Sequence, residues 1–209
     1  MTDPTRPIRV WDLVVRLGHW TLAISFLVAY ATAESEAWRL IHAISGTMVL
    51  AVVLFRVVWG IFGPWTAQFS AFVKPPRAVM AYLSSLLTAH PEHHTGHNPA
   101  GGWAVLLLLG LAGLAATTGL VVYNDLGGNA LEEAHEVLAN ACLAMVVVHV
   151  LAVALSSWLH RENLIVPMLT GRKRGQPEEA IRPYSGWIGA ILLIAWTAFL
   201  TWIANGMAW

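Results

Sequence analysis

The sequence predicts an all-α integral membrane protein: a four-helix transmembrane bundle followed by a fifth, C-terminal transmembrane helix. Two observations carry this. Hydrophobic residues make up 57% of the 209 and charged residues only 11%, where a soluble domain carries about 25% charged. And five segments hold the roughly 17–25 mostly apolar residues that a membrane helix needs.

The five predicted spans are Leu17–Ala33, Ala43–Phe62, Trp103–Tyr123, Ala139–Leu159 and Trp187–Ala204. The first is short, but Trp11 to Arg16 can extend it into the interface. Asp12, Ser35 and Asn129 stand where N-caps of the first, second and fourth helices belong, with Glu36, Glu132 and Glu133 suited to first turns. Residues 1–185 then form the bundle with its loops, and 186–209 the additional helix. The loop from Gly63 to Gly102 contains an amphipathic stretch, Ala78–Leu87, suited to a membrane surface. It is followed by a His-rich piece, HPEHHTGHNPAGG, in which His90, His93 and His94 read as solvated loop residues.

Charge sets the expected orientation. With the N-terminus cytoplasmic, Arg39 is the only one of the twelve basic residues outside, as the positive-inside rule requires. Glu34, Glu36, Asp125, Glu132, Glu133 and Glu136 then line the outer loops, and the fifth helix ends in the periplasm. Tryptophans such as Trp11, Trp20, Trp38, Trp103, Trp158 and Trp209 fall near span ends, where aromatic belts form. The polar N-terminus predicts no cleavable signal peptide. A net charge of zero gives no reason to expect nucleic acid. The single cysteine, Cys142, excludes a disulfide framework and a CxxCH haem attachment.

Four histidines lie inside the predicted spans. His135 and His149 are fourteen residues apart in one helix, about 40° short of four turns, so they share a face about 21 Å apart along the axis. Measured from the helix ends, His42 and His135 lie at one depth below the outer surface, about 10 Å. His19 and His149 lie about 10–16 Å above the inner one. A lone intramembrane histidine is ordinarily a helix–helix hydrogen-bond partner. Four of them, at two matched depths, fit axial ligation of two b haems, one near each surface, because the apolar macrocycle packs between helices and takes imidazole from both sides. Zinc would want four close ligands, and a carboxylate-rich dimetal site finds no carboxylate in the spans.

The motifs VWDLVVRLGHW (Val10–Trp20), HAISG (His42–Gly46), FRVVWGIFG (Phe55–Gly63), GHNPAGG (Gly96–Gly102), AHEVLAN (Ala134–Asn140), VVVHV (Val146–Val150) and RENLIVPMLTGRK (Arg161–Lys173) resemble the bacterial cytochrome b561 family. That family includes the b-type cytochrome subunit of nickel–iron hydrogenases. The resemblance covers about residues 10–174 and implies a four-helix core holding two b haems on His19, His42, His135 and His149. It implies electron transfer between a periplasmic redox partner, a hydrogenase or c-type cytochrome, and the quinone pool of the bacterial inner membrane. The fifth helix departs from the four-helix pattern. A stand-alone superoxide:quinone oxidoreductase is the rival; a single outer cation, Arg39, among six acids argues against an anionic substrate and for a cationic protein partner. A homo-oligomer is compatible with the sequence.

Secondary candidates follow from chemistry. Haem propionates favour arginine: Arg39 outside, Arg16 and Arg56 inside, each of which also fits ordinary snorkelling. His97 and Asn98 precede the third helix on the inner side and are candidates for contact with a quinone, although Asn98 followed by Pro99 also reads as a helix cap. Gly46, Gly110, Gly113 and Gly119 allow close approach of a macrocycle or of another helix. His160 reads as an interfacial group.

Overall fold

The computed structural model describes residues 6–86, 88, 92, 94–182 and 186–207. His90, His93, Leu87 and Trp209, each named above, lie outside them. The long helices are α1 (Leu13–Ala31), α2 (Arg39–Phe62), α5 (Pro99–Tyr123), α6 (Gly128–Leu159) and α8 (Gly186–Met207). Shorter pieces are β1 (Pro7–Arg9), α3 (Phe69–Phe72), α4 (Pro76–Ser85), α7 (Val166–Thr170) and β2 (Arg172–Arg174). Among the described residues, four helices are long and apolar enough to cross a membrane: α1, α2 with its preceding 3₁₀ turn, α5 and α6. Each contains the core of a predicted span, and α8 covers the fifth predicted segment.

The ends differ from expectation in instructive ways. Asp12 does cap α1: Val15 N donates to its Oδ1 at 2.6 Å, and Trp59 Nε1 donates to its Oδ2 at 3.1 Å. Ser35 precedes a 3₁₀ turn, Glu36–Trp38, without a side-chain cap bond. α6 starts at Gly128, in left-handed conformation at φ 60°, so Asn129 lies inside the helix rather than capping it. Helix propagation from a glycine-led turn displaces the start by two residues and leaves the asparagine no cap to make.

The chain falls into two units. One holds residues 1–16, 57–107 and 145–184; the other holds 17–56, 108–144 and 185–209. In the first, a two-stranded antiparallel sheet joins β1 to β2 with Ile8 opposite Lys173. Ile8, Val10, Trp11, Val15 and Ala67 form its buried core, with Trp59 and Met168 packed against them. α4 turns Tyr82 inward and leaves Met80 and Leu83 exposed, the amphipathic division that the sequence predicts there. Burial raises the Tyr82 phenol above its ordinary pKa, so it stays protonated at neutral pH.

Gly171 pins this unit. Its carbonyl accepts from both Val10 N and Trp11 N, at 2.9 and 3.2 Å. Its φ is +78°, and a Cβ there would meet the Trp11 carbonyl oxygen at 2.6 Å. Gly171→Ala therefore combines left-handed strain with a backbone clash, and should cost about 2–3 kcal/mol. A thermal melt of the purified protein followed by circular dichroism checks it; an unchanged midpoint would contradict the pin.

In the second unit α1, α2, α5 and α6 contact one another in turn, and α8 packs beside them. Tyr30 Oη on α1 donates to Asn140 Oδ1 on α6 at 2.8 Å. His42 on α2 reaches back to α1, Val53 of α2 lies against Gly113 of α5, and His135 of α6 packs on α5. Trp196 of α8 is buried, with its ring edge-on to Phe55 of α2 at 6.2 Å. Gly113 would bring a Cβ to 3.2 Å from the Val53 side chain, so its smallness serves helix packing.

Candidate metal centre

His42 and His135 come together in the second unit. Their ring centroids are 6.0 Å apart, with planes at 86°. His42 Nδ1 lies 2.8 Å from the Ala29 carbonyl oxygen, and His135 Nδ1 lies 2.9 Å from that of Ala115. A carbonyl only accepts, so each Nδ1 carries the proton and donates it. In the neutral imidazole Nε2 is then the lone-pair nitrogen. This is the tautomer of a metal-ligating histidine, with the ring fixed by its other nitrogen. Metal–imidazole bonds are about 2 Å, so two imidazoles on one ion from opposite sides place their centroids about 6 Å apart.

The surroundings suit a flat apolar cofactor. His42, Ala43, Gly46, Thr47, Ala116, Gly119, Leu120, Tyr123 and His135 line one cavity. A Cβ at Gly46 would meet nothing within 4 Å, so open space faces that backbone. A Cβ at Gly119 would lie 2.7 Å from His135 Cε1: the imidazole rests on bare helix backbone. The Arg39 guanidinium stands over the Tyr123 ring, 5.3 Å from its centroid, which sets a cation beside the cavity wall. Among the described residues there is no cluster of three or more His, Cys, Asp or Glu side chains that could hold a metal. The donor set here is a facing pair of imidazoles, which suits a metal whose remaining ligands come from a macrocycle.

The other candidates are placed as follows. His19 lies in α1, in the second unit, edge-on to Trp20 with centroids 5.2 Å apart. His149 lies in α6, in the first unit. Arg16 donates from its guanidinium to the Leu169 carbonyl, tying α7 to the start of α1. Arg56 lies in α2. His97 is set between two aromatic rings, 4.7 Å from Trp11 and 4.5 Å from Phe72 by centroids. Asn98 Oδ1 accepts from Gly101 N at 2.7 Å, so it caps α5 ahead of Pro99. Tyr123 is a cavity residue that sequence reasoning passed over; it lies one turn beyond Gly119 on the same helix, and that spacing was available as a signal.

The family model described as prokaryotic cytochrome b561 matches residues 10–171. The match includes all four span histidines, His97 and Asn98. No curated protein and no solved structure matches the chain.

Proposed function

The chain belongs to the prokaryotic cytochrome b561 family, a multi-pass bacterial membrane protein that binds b haem and transfers electrons, and on that premise we propose that it carries two haems and links a periplasmic redox partner to the membrane quinone pool. The observation that carries this reading is the facing pair of His42 and His135, each with Nδ1 committed to a carbonyl and Nε2 free. Those two imidazoles would hold the outer haem. His19 and His149, matched in depth along the sequence, would hold the inner one. Haem supplies a one-electron couple, and the protein tunes it through axial ligands, burial and nearby charge.

This chain's residues then have definite tasks. The carbonyls of Ala29 and Ala115 orient the outer ligands and raise their basicity. Arg39 would neutralise a propionate on the outer side, and Arg16 and Arg56 would do so on the inner side. His97, on the loop before α5, offers a proton-exchanging group to a quinone, with Asn98 beside it. The N-terminus is cytoplasmic, and α8 crosses the membrane to end in the periplasm. The exposed acids Glu132, Glu133 and Glu136 at the start of α6 favour a cationic partner such as a c-type cytochrome; a hydrogenase is the other partner class.

The test uses purified protein in proteoliposomes. Pyridine haemochrome should count two b haems per chain, and a short-chain quinol should reduce them. One haem per chain sinks the paired arrangement, and haems that a quinol leaves oxidised sink the quinone link.

A further inference from the structure

The β1–β2 sheet contains none of the residues assigned above to haem or quinone. Its register sets Arg9 directly opposite Arg172, Ile8 opposite Lys173 and Pro7 opposite Arg174. The central pair points inward, and both flanks are exposed. Lys173 is committed on the inner face: its Nζ donates to the His94 carbonyl at 2.7 Å and faces Glu162 Oε2 at 3.3 Å. Arg9, Arg172 and Arg174 all lie on the outer face, and Arg6 is exposed beside them.

Like charges directly opposite on a strand pair repel and destabilise it. Here the repulsion is held in place by fixed backbone. Arg9 O accepts from Ile181 N at 2.9 Å, Val10 N donates to Gly171 O, and Thr66 Oγ1 donates to Val10 O at 2.8 Å. Two carboxylates close in sequence are engaged elsewhere. Glu162 faces Lys173, and Glu179 Oε2 accepts from Thr95 Oγ1 and Gln176 N. Among the described residues, none of these four arginines forms an ion pair.

The sheet also adjoins exposed apolar surface. α7, which ends just before Gly171, presents Ile165, Val166 and Leu169 at 53%, 44% and 59% exposure. Leu13, in the first turn of the span α1, is 39% exposed. Cations next to exposed aliphatics, four residues before a membrane span, make the pattern of a surface seated at the headgroup–acyl boundary.

We propose that the outer face of the β1–β2 sheet binds the phosphate headgroups of anionic phospholipids, with α7 seated in the bilayer interface beside it. Arg9, Arg172 and Arg174 supply the charge, and the preformed sheet removes the ordering cost of a flexible basic tail. The inference rests on membrane embedding and not on either haem.

Native mass spectrometry of the haem-loaded protein in micelles tests it. The protein is mixed with equal phosphatidylglycerol and phosphatidylcholine, and retained lipids are counted. The wild type should favour phosphatidylglycerol on the order of tenfold. Arg9→Gln/Arg172→Gln/Arg174→Gln should retain the two lipids equally, with its haem content unchanged in the same spectra. Arg172→Gln alone should fall between, and it gives the reading if the triple variant fails to fold. Lys74→Gln/Arg77→Gln, which removes basic charge at the start of α4, should keep the wild-type preference. A wild type without preference, a substituted sheet that keeps it, or a control that loses it equally overturns the proposal. A surface built for an acidic protein would leave all four proteins alike.

Discussion

His135→Ala should lower the haem content from two per chain to one. The pairing of His42 with His135 leaves His42 as sole imidazole donor once the partner ring is gone, and a haem held there would be bound more weakly and lost on purification. The Ala29 carbonyl still orients His42, so the surviving half-site remains preformed. Free imidazole, which fits the space vacated by the side chain, should restore the second haem and its low-spin spectrum. His149→Ala should also remove one haem, and a redox titration of the two variants should show different surviving midpoints. Pyridine haemochrome against protein mass provides the count. Two haems retained in His135→Ala would mean that the facing rings are packing partners and not ligands.

Much of this site was legible from spacing alone. His42 and His135 lie within one residue of the same distance from the starts of their spans: six residues from Glu36 and seven from Gly128. Ser35 holds the position before the second span without a side-chain cap bond, whereas Asn129 lies inside α6, which begins two residues earlier than the expected cap implies. What could not be read are the groups that select the ligating tautomer. Ala29 O and Ala115 O are backbone atoms, and every residue has one, so no sequence pattern marks them. The β1–β2 sheet was equally hidden. Three-residue strands show no alternation to detect, and their partners are about 165 positions apart. Gly171 could have suggested a turn, but its tie to Val10 and Trp11 depends on tertiary contact.

Gly119→Ala separates ligand support from ordinary helix packing. The added Cβ would stand 2.7 Å from His135 Cε1 and 3.0 Å from its Nδ1. The ring must give way, because the other side of the contact is helix backbone. Moving it takes Nδ1 off the Ala115 carbonyl, now 2.9 Å away, and shifts the ring relative to His42. Loss of such a supporting contact typically costs about 10–100-fold in metal affinity. The expected result is selective: outer-haem affinity falls by that factor in a haem-transfer titration to an apo-globin acceptor, while the inner haem is retained. Gly110→Ala is the matched control on the same helix, since a Cβ there meets nothing within 4 Å, and it should behave as wild type. If Gly119 served helix packing alone, its substitution would lower the melting midpoint and loosen both haems alike. Selective loss of one haem at a nearly unchanged midpoint is the result expected if the His135 ring must lie on bare backbone to reach iron.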